Sequence, residues 1–174
     1  YPLCAASVAL VWRDPPVLGA ISVPFLKELY WCCPGDGSFL NGQKISVSEC
    51  SSLEESLLVT GFAYDRREVL DNNYAEFAWM THRTRGVRRG GAAAVDLAFV
   101  AAGRLDGYWE RGLAPWDLAA GAALVQLAGG WVDDYREEGF ELGSGRILAT
   151  GTQLHQPLKR ELARVSPIPP CLYG

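Results

Sequence analysis

Histidine and methionine are scarce in this 174-residue chain: His82 and His155 are the two histidines, and Met80 is the single methionine. Two histidines, neither beside a nucleophile motif, do not support a Ser-His-Asp or Cys-His constellation. Nor do they complete a zinc site with Cys4, Cys32, Cys33, Cys50 and Cys171, which contain no CxxC pair. The expectation is reduced, mostly buried thiols in a cytoplasmic protein. No apolar run reaches ~18 residues, so no helix is expected to span a membrane. Positive charge is not in excess: 16 Lys and Arg against 20 Asp and Glu give a net charge of −4, which argues against nucleic acid as the partner. Neither a GxGxxG fingerprint nor a GK[ST] P-loop occurs. There is no internal repeat and no low-complexity tract. The 49% hydrophobic content against 21% charged residues excludes disorder as the main state.

Residue 1 is Tyr, so the chain does not open on an initiator Met. No basic segment precedes an apolar run as in a signal peptide. Tyr1–Val11 reads as a core strand, and a mature domain seldom opens on one. The expectation is a piece of a longer protein.

The first 50 residues read as an antiparallel meander. Apolar runs at Ala5–Val11, Val17–Val23 and Leu26–Cys33 are separated by Asp14-Pro15-Pro16 and Pro24. Pro34-Gly35-Asp36-Gly37 is a tight turn and Asn41-Gly42 a hairpin signal. Residues 51–165 read as a second, α/β part of mixed strand direction. Ser51–Glu55 carries a capping signature. Strands are expected at Leu57–Thr60, Leu105–Trp109, Trp131–Asp133 and Ile147–Ala149. Helices are expected at Glu68–His82, Ala92–Ala102, Pro115–Leu127 and Leu154–Val165. Residues 166–174 read as a loose, Pro-rich tail.

Several segments could carry chemistry. His82–Arg89 holds four arginines and could bind an acidic ligand, but a solvated connector between a helix and a strand accounts for it as well or better. Gly90-Gly91 before Ala92-Ala93-Ala94 places backbone N–H groups at a helix start; close helix packing explains the small residues equally. Glu110 at a strand end and Asp117 in the first turn of the next helix are the best carboxylate pair. On spacing alone, a solvated strand end and a helix-start carboxylate explain them. Asp96 is expected to be structural, bonded to a neighbouring backbone group. Asp133 and Asp134 diverge on a strand and make a poor metal pair.

Residues 116–130 read Trp-Asp-Leu-Ala-Ala-Gly-Ala-Ala-Leu-Val-Gln-Leu-Ala-Gly-Gly. This resembles WDxAAGxxLVxEAGG of the inositol monophosphatase family, with Leu127 where the pattern has Glu. Gly91–Leu97 resembles the family's G[ST]AALDL helix start, and Arg104–Glu110 its GRLDGYWE strand. Gly37–Gly42 resembles its GaFlNG turn. The resemblance runs from Tyr1 to about Val165 and covers the family's later two-thirds. The family's earlier motifs, DPxDGT and GEE, do not occur in the chain.

The resemblance implies an αβαβα sandwich, incomplete at its N-terminus, and a Mg²⁺-dependent phosphomonoesterase for inositol monophosphate or a similar polyol phosphate. Histidinol phosphate, a 3′-phosphonucleotide or a sugar bisphosphate are alternative substrates within that superfamily. A non-catalytic scaffold is the alternative outside enzymes. Carried over residue by residue, Asp117 would be a metal ligand. Glu110 and the backbone of Gly91, Ala92 and Ala93 would bind substrate. A homodimer is implied, and no membrane partner. Because DPxDGT supplies most of the metal-binding carboxylates in the family, the 174-residue chain alone is expected to be inactive.

Overall fold

The computed structural model describes residues 1–12 and 16–169. Asp14-Pro15 of the expected first turn, Cys171 and residues 170–174 of the tail lie outside the described residues. Strands β1 (Ala6–Val11), β2 (Pro16–Val23), β3 (Glu28–Cys33), β4 (Gly37–Leu40) and β5 (Gln43–Ile45) form an antiparallel meander in sequence order. The last hairpin turns at Asn41 and Gly42, with φ of 48° and 80°. A two-residue hairpin of this kind needs both residues left-handed, which the Asn-Gly pair tolerates best. The Asn41 side chain also bonds the Leu29 amide at 2.8 Å and the Lys27 carbonyl at 3.1 Å, fixing the far end of β3.

The second sheet is mixed, in the order β7-β6-β8-β10-β9. Its elements in chain order are β6 (Leu57–Thr60), α1 (Tyr74–Arg83), β7 (Gly86–Arg88), α2 (Ala93–Ala101), β8 (Gly107–Glu110), α3 (Pro115–Leu127), β9 (Trp131–Asp133), β10 (Ile147–Thr150) and α4 (His155–Ala163). β7 and β8 both run parallel to β6, one on each side. β10 returns antiparallel between β8 and β9.

Alternate residues of these strands face opposite ways, as the strand pleat requires. Val59, Tyr108, Ile147 and Ala149 join a core with α2, α3 and the inner face of the meander (Ile21, Val23, Tyr30, Cys32). Leu58, Trp109 and Leu148 face the other way, onto Met80 of α1 and Leu158 and Leu162 of α4. The layers are therefore meander, α2 with α3, mixed sheet, and α1 with α4.

Five expectations need correction. β1 is an edge strand and not a core strand: Val8, Leu10 and Val11 are exposed. The first helix begins at Tyr74, not Glu68, because Asn73 is left-handed (φ 68°) and its side chain is committed elsewhere. The arginine-rich connector contains a strand, Gly86–Arg88, paired with β6. β8 starts at Gly107, not Leu105, because the Asp106 carboxylate leaves the strand path to bond Ser48 Oγ at 2.5 Å and the Leu57 amide at 2.6 Å. Of the four described cysteines, all reduced, Cys32 alone is buried.

β2 and α3 approach each other at backbone distance. A Cβ on Gly19 would stand 2.6 Å from Ala120 Cα and 2.9 Å from its carbonyl oxygen. Gly19→Ala should destabilise the fold by roughly 1–3 kcal/mol or more, since neither backbone can yield freely. Gly129→Ala, at φ 87° with open space around it, should cost about 1 kcal/mol of backbone strain. Urea unfolding of the two variants checks the order.

Candidate active site

A parallel strand flanked on both sides by later strands, with its two crossover helices on opposite faces, opens a crevice beyond the carboxyl ends of the strands. β6 is such a strand. A cleft of about 330 Å³ lies there, lined after β6 by Phe62, Ala63 and Arg66, after β7 by Arg89 and Gly91–Ala93, and after β8 by Glu110, Gly112, Leu113 and Asp117. The structure thus brings Gly91, Ala92, Ala93, Glu110 and Asp117 to one place. A wider hollow of about 690 Å³ between Ser52–Glu54 and His82–Thr84 gathers no carboxylate pair.

Glu110 is not a solvated strand end. It is 7% exposed, and its carboxylate fills the space that a Cβ on Gly61 would take, 2.1 Å from either oxygen. Tyr108, two residues back on the same strand face, is fully buried and donates its hydroxyl to Glu110 Oε2 at 2.6 Å. Burial pushes the Glu110 carboxyl above its ordinary range, while the Tyr108 bond and the Arg89 charge pull it back. Tyr108 itself is held far above the usual tyrosine range by burial and by the Glu110 charge, so it keeps the proton it donates to Glu110.

Asp117 sits in the first turn of α3, half-buried. Its Oδ2 accepts the Ala114 amide at 3.0 Å, the usual role of a helix-start carboxylate, and this leaves Oδ1 available. α2 starts beyond Gly91 (φ 89°) and Ala92, and its first intrahelical donor is Asp96 to the Ala92 carbonyl at 3.0 Å. The amides before it have no partner within the helix and can bond a ligand oxygen.

The loop after β6 is tied to the site from behind. Asn73 Nδ2 bonds Thr60 Oγ1 at 2.8 Å and the Gly61 carbonyl at 2.7 Å, while Asn73 Oδ1 accepts Trp109 Nε1 at 2.7 Å. Arg111, next to Glu110, grips both Asp65 oxygens (2.8 and 2.9 Å) and bonds the Asp71 carbonyl.

Asp96 departs from expectation. It is 2% exposed, yet among the described residues no backbone or side-chain group donates to its carboxylate. One oxygen lies 1.9 Å from where a Gly90 Cβ would be, so the absent side chain at 90 makes its room. Burial first, and then the Glu110 charge, raise its carboxyl to about 8 against the opposing Arg89. Tyr108 and Asp96 were both missed as neighbours of Glu110. The i, i+2 spacing of Tyr108 and Glu110 on a strand was the available signal for the first; the second needs the tertiary contact.

The other candidates lie elsewhere. Asp133 is held by Lys159 at 2.5 Å and lies 3.2 Å from His155 Nε2. Asp134 faces Arg146 instead, at 3.6 Å. Of the arginine stretch, Arg89 alone reaches the cleft. Among the described residues no three His, Cys, Asp or Glu side chains gather as a metal centre would require.

The inositol monophosphatase family profile matches residues 1–166. The inositol-1-monophosphatase of Synechocystis sp. is 52% identical over 163 residues, covering 94% of this chain and 57% of that protein. Nus factor SuhB of Pseudomonas aeruginosa is 40% identical, covering 98% of this chain and 63% of that protein. The solved inositol monophosphatase from Anabaena (Nostoc) sp. PCC 7120 superimposes with a TM-score of 0.94 at 51% identity, over 97% of this chain and 69% of that one. The chain therefore spans about three-fifths of the length of the curated relatives it matches.

The Asp96 environment has a measurable sign. Below about pH 4 both folded and unfolded chains hold the proton, and there is no penalty. As pH rises towards 8 the unfolded chain releases it while the folded chain keeps it, so stability is lost across that window and then levels. Asp96→Asn removes this loss. Urea unfolding should show the variant gaining on the parent between about pH 4 and 8, by roughly 1–3 kcal/mol and at most about 5. A difference that does not grow with pH would refute the assignment.

Proposed function

This chain belongs to the inositol monophosphatase family, and on that premise we propose that it carries the substrate-binding side of a Mg²⁺-dependent phosphomonoesterase acting on inositol monophosphate or a similar polyol phosphate. The supporting observation is the convergence of Glu110, Asp117 and the Gly91–Ala93 turn on one cleft. In this reading the desolvated Glu110 carboxylate accepts hydrogen bonds from ring hydroxyls. Such bonds to a charged acceptor are strong where water is excluded. The amides of Gly91, Ala92 and Ala93 donate to substrate oxygens, aided by the positive end of α2. Asp117 offers Oδ1 as a hard oxygen ligand.

Mg²⁺, when bound, supplies an activated water and neutralises charge on the departing oxygen. The described residues do not make a complete site for it: Asp117 is one carboxylate, and no cluster of three is present. No step through the ion follows from these residues. For that reason we expect the 174-residue chain alone to release no phosphate from inositol monophosphate with Mg²⁺; robust turnover by it would refute the reasoning from ligand count. The homodimer that the resemblance implied and the cytoplasmic setting expected from the thiols belong to the same proposal. No described helix is long and apolar enough to cross a membrane.

A second reading, a sugar bisphosphate substrate, draws on Arg66 and Arg89, which line the same cleft as Glu110 and could pair with a further phosphate. A comparison of mono- and bisphosphate kcat/KM separates the two.

Two substitutions test the roles in the protein as its gene encodes it. Asp117→Asn keeps shape and removes charge, so kcat should fall by about a hundred-fold or more at ordinary Mg²⁺. Glu110→Gln should cost inositol monophosphate about ten- to a hundred-fold in kcat/KM, and a simple aryl phosphate far less. Equal losses on both substrates would mean that Glu110 serves the fold or the metal instead.

A further inference from the structure

We propose that Tyr108 is the positioning residue of the cleft: its buried hydroxyl, donated to Glu110 Oε2, fixes the carboxylate in the orientation that leaves Oε1 to accept a substrate hydroxyl. The proposal rests on the reading of Glu110 as the acceptor for substrate hydroxyls and adds what holds it in place.

A glutamate side chain at a strand end has several rotamers, and ordering it on binding costs entropy. Three features of this site remove that freedom beforehand. Tyr108 is pinned on both sides of its strand, opposite Val59 of β6 and Ala149 of β10, and it is fully buried. Its hydroxyl stands 2.6 Å from Glu110 Oε2. The missing side chain of Gly61 leaves a recess that the carboxylate fills. The tyrosine ring packs in the core with α2 and α3, so the hydroxyl is set by core packing. Its proton is not lost at ordinary pH, so it stays available for donation to the carboxylate. The groups facing the Glu110 carboxylate are Tyr108 from β8, Arg89 and Asp96 around the start of α2, and Asp117 from α3. Tyr108 alone among them is hydrogen-bonded to it.

The test is Tyr108→Phe, which keeps the ring and removes the hydroxyl, in the protein as its gene encodes it. The expected result is about a ten-fold loss of kcat/KM on inositol monophosphate, carried mainly by KM, with less than about a two-fold loss on an aryl phosphate. The hydroxyl bond favours the ionised carboxylate, so its removal should move the acid limb of the inositol monophosphate profile to higher pH. The Glu110 carboxyl carbon, followed by NMR without substrate or metal, should titrate at higher pH by the same shift. A merely structural role would leave both in place. In the unmodified protein the hydroxyl proton should give a slowly exchanging downfield resonance with a through-space contact to the Glu110 side chain.

A folded Tyr108→Phe protein with an unchanged substrate ratio and an unmoved acid limb overturns the proposal. So does absence of the protected hydroxyl resonance, which keeps the test decisive if the variant fails to fold. Glu110→Gln separates the two levels. Selective loss there with a silent Tyr108→Phe sinks positioning alone; equal loss on both substrates in Glu110→Gln sinks the reading of Glu110 itself.

Discussion

The burial of α3 is the constraint on which the remaining structure depends. From Leu118 to Val125 every residue of this helix is buried, so it has no solvent face to orient it. A helix enclosed in this way is held by shape. Ala119, Ala120, Gly121, Ala122 and Ala123 make it thin enough for the meander to lie against one side and α2 against another. Gly19 of β2 touches Ala120, and a Cβ on Gly121 would stand 2.5 Å from Leu97 of α2. Ser38, fully buried on β4, donates to the Leu124 carbonyl at 2.7 Å and satisfies itself against the same helix. With both flanks set at backbone distance, α3 has little freedom to slide or rotate. The position of its first turn, and so of Asp117 at the cleft, follows from core packing and not from the loop before it.

The cleft works against stability where the core works for it. Glu110 and Asp96 are carboxyl groups placed in a poorly hydrated region, with the Glu110 charge raising Asp96 and the Asp117 charge raising Glu110. Each would be destabilising alone. Tyr108 and Arg89 offset the cost for Glu110, whereas Asp96 has no hydrogen-bond donor among the described residues and keeps its proton to higher pH. The outcome is two carboxyl groups held above their ordinary range, one bonded by a tyrosine hydroxyl and one without such a bond, set by environment and not by residue type. Such a site resembles an oriented acceptor more than a pair of metal ligands, which agrees with the division of roles proposed for Glu110 and Asp117.

Much of this arrangement was legible in the sequence where local chemistry decides. The Asn41-Gly42 hairpin, the meander and the full length of α3 follow from turn residues, alternation and the Pro115 and Gly129-Gly130 boundaries. Glu110, Asp117 and the Gly91–Ala93 turn were singled out before their common cleft was visible, though spacing alone did not favour them over bland roles. What was misread depends on distant partners. Asn73 interrupts the helical pattern because Thr60, Gly61 and Trp109 take its side chain. Asp106 delays β8 because Ser48 and Leu57 claim its carboxylate. Gly86–Arg88 reads as a charged connector because an edge strand needs no apolar alternation on its open side. Asp96 lacks the expected backbone partner among the described residues, since nothing in Ala-Val-Asp-Leu reports the vacant side chain at Gly90.

The three proposed functions of the cleft come from the ends of different elements, and the connections between those elements are short and fastened. Arg111 joins the loop after β6 to the residue beside Glu110 through its grip on Asp65 and Asp71. Leu113 donates its amide to the Gly145 carbonyl at 3.0 Å, which ties the segment between Glu110 and Asp117 to the turn before β10. Glu110 ends a strand paired on both sides, and Asp117 begins a helix enclosed on nearly all sides. The distance between the Glu110 and Asp117 carboxylates is therefore set by two packed elements and one clipped turn. The proposed placement of a hydroxyl-bearing ring and a phosphate at a fixed separation would need that kind of spacing. The same rigidity explains why Tyr108 can act through Glu110: a hydroxyl held in a paired strand transmits its position to the carboxylate without the loops that line the cleft having to move.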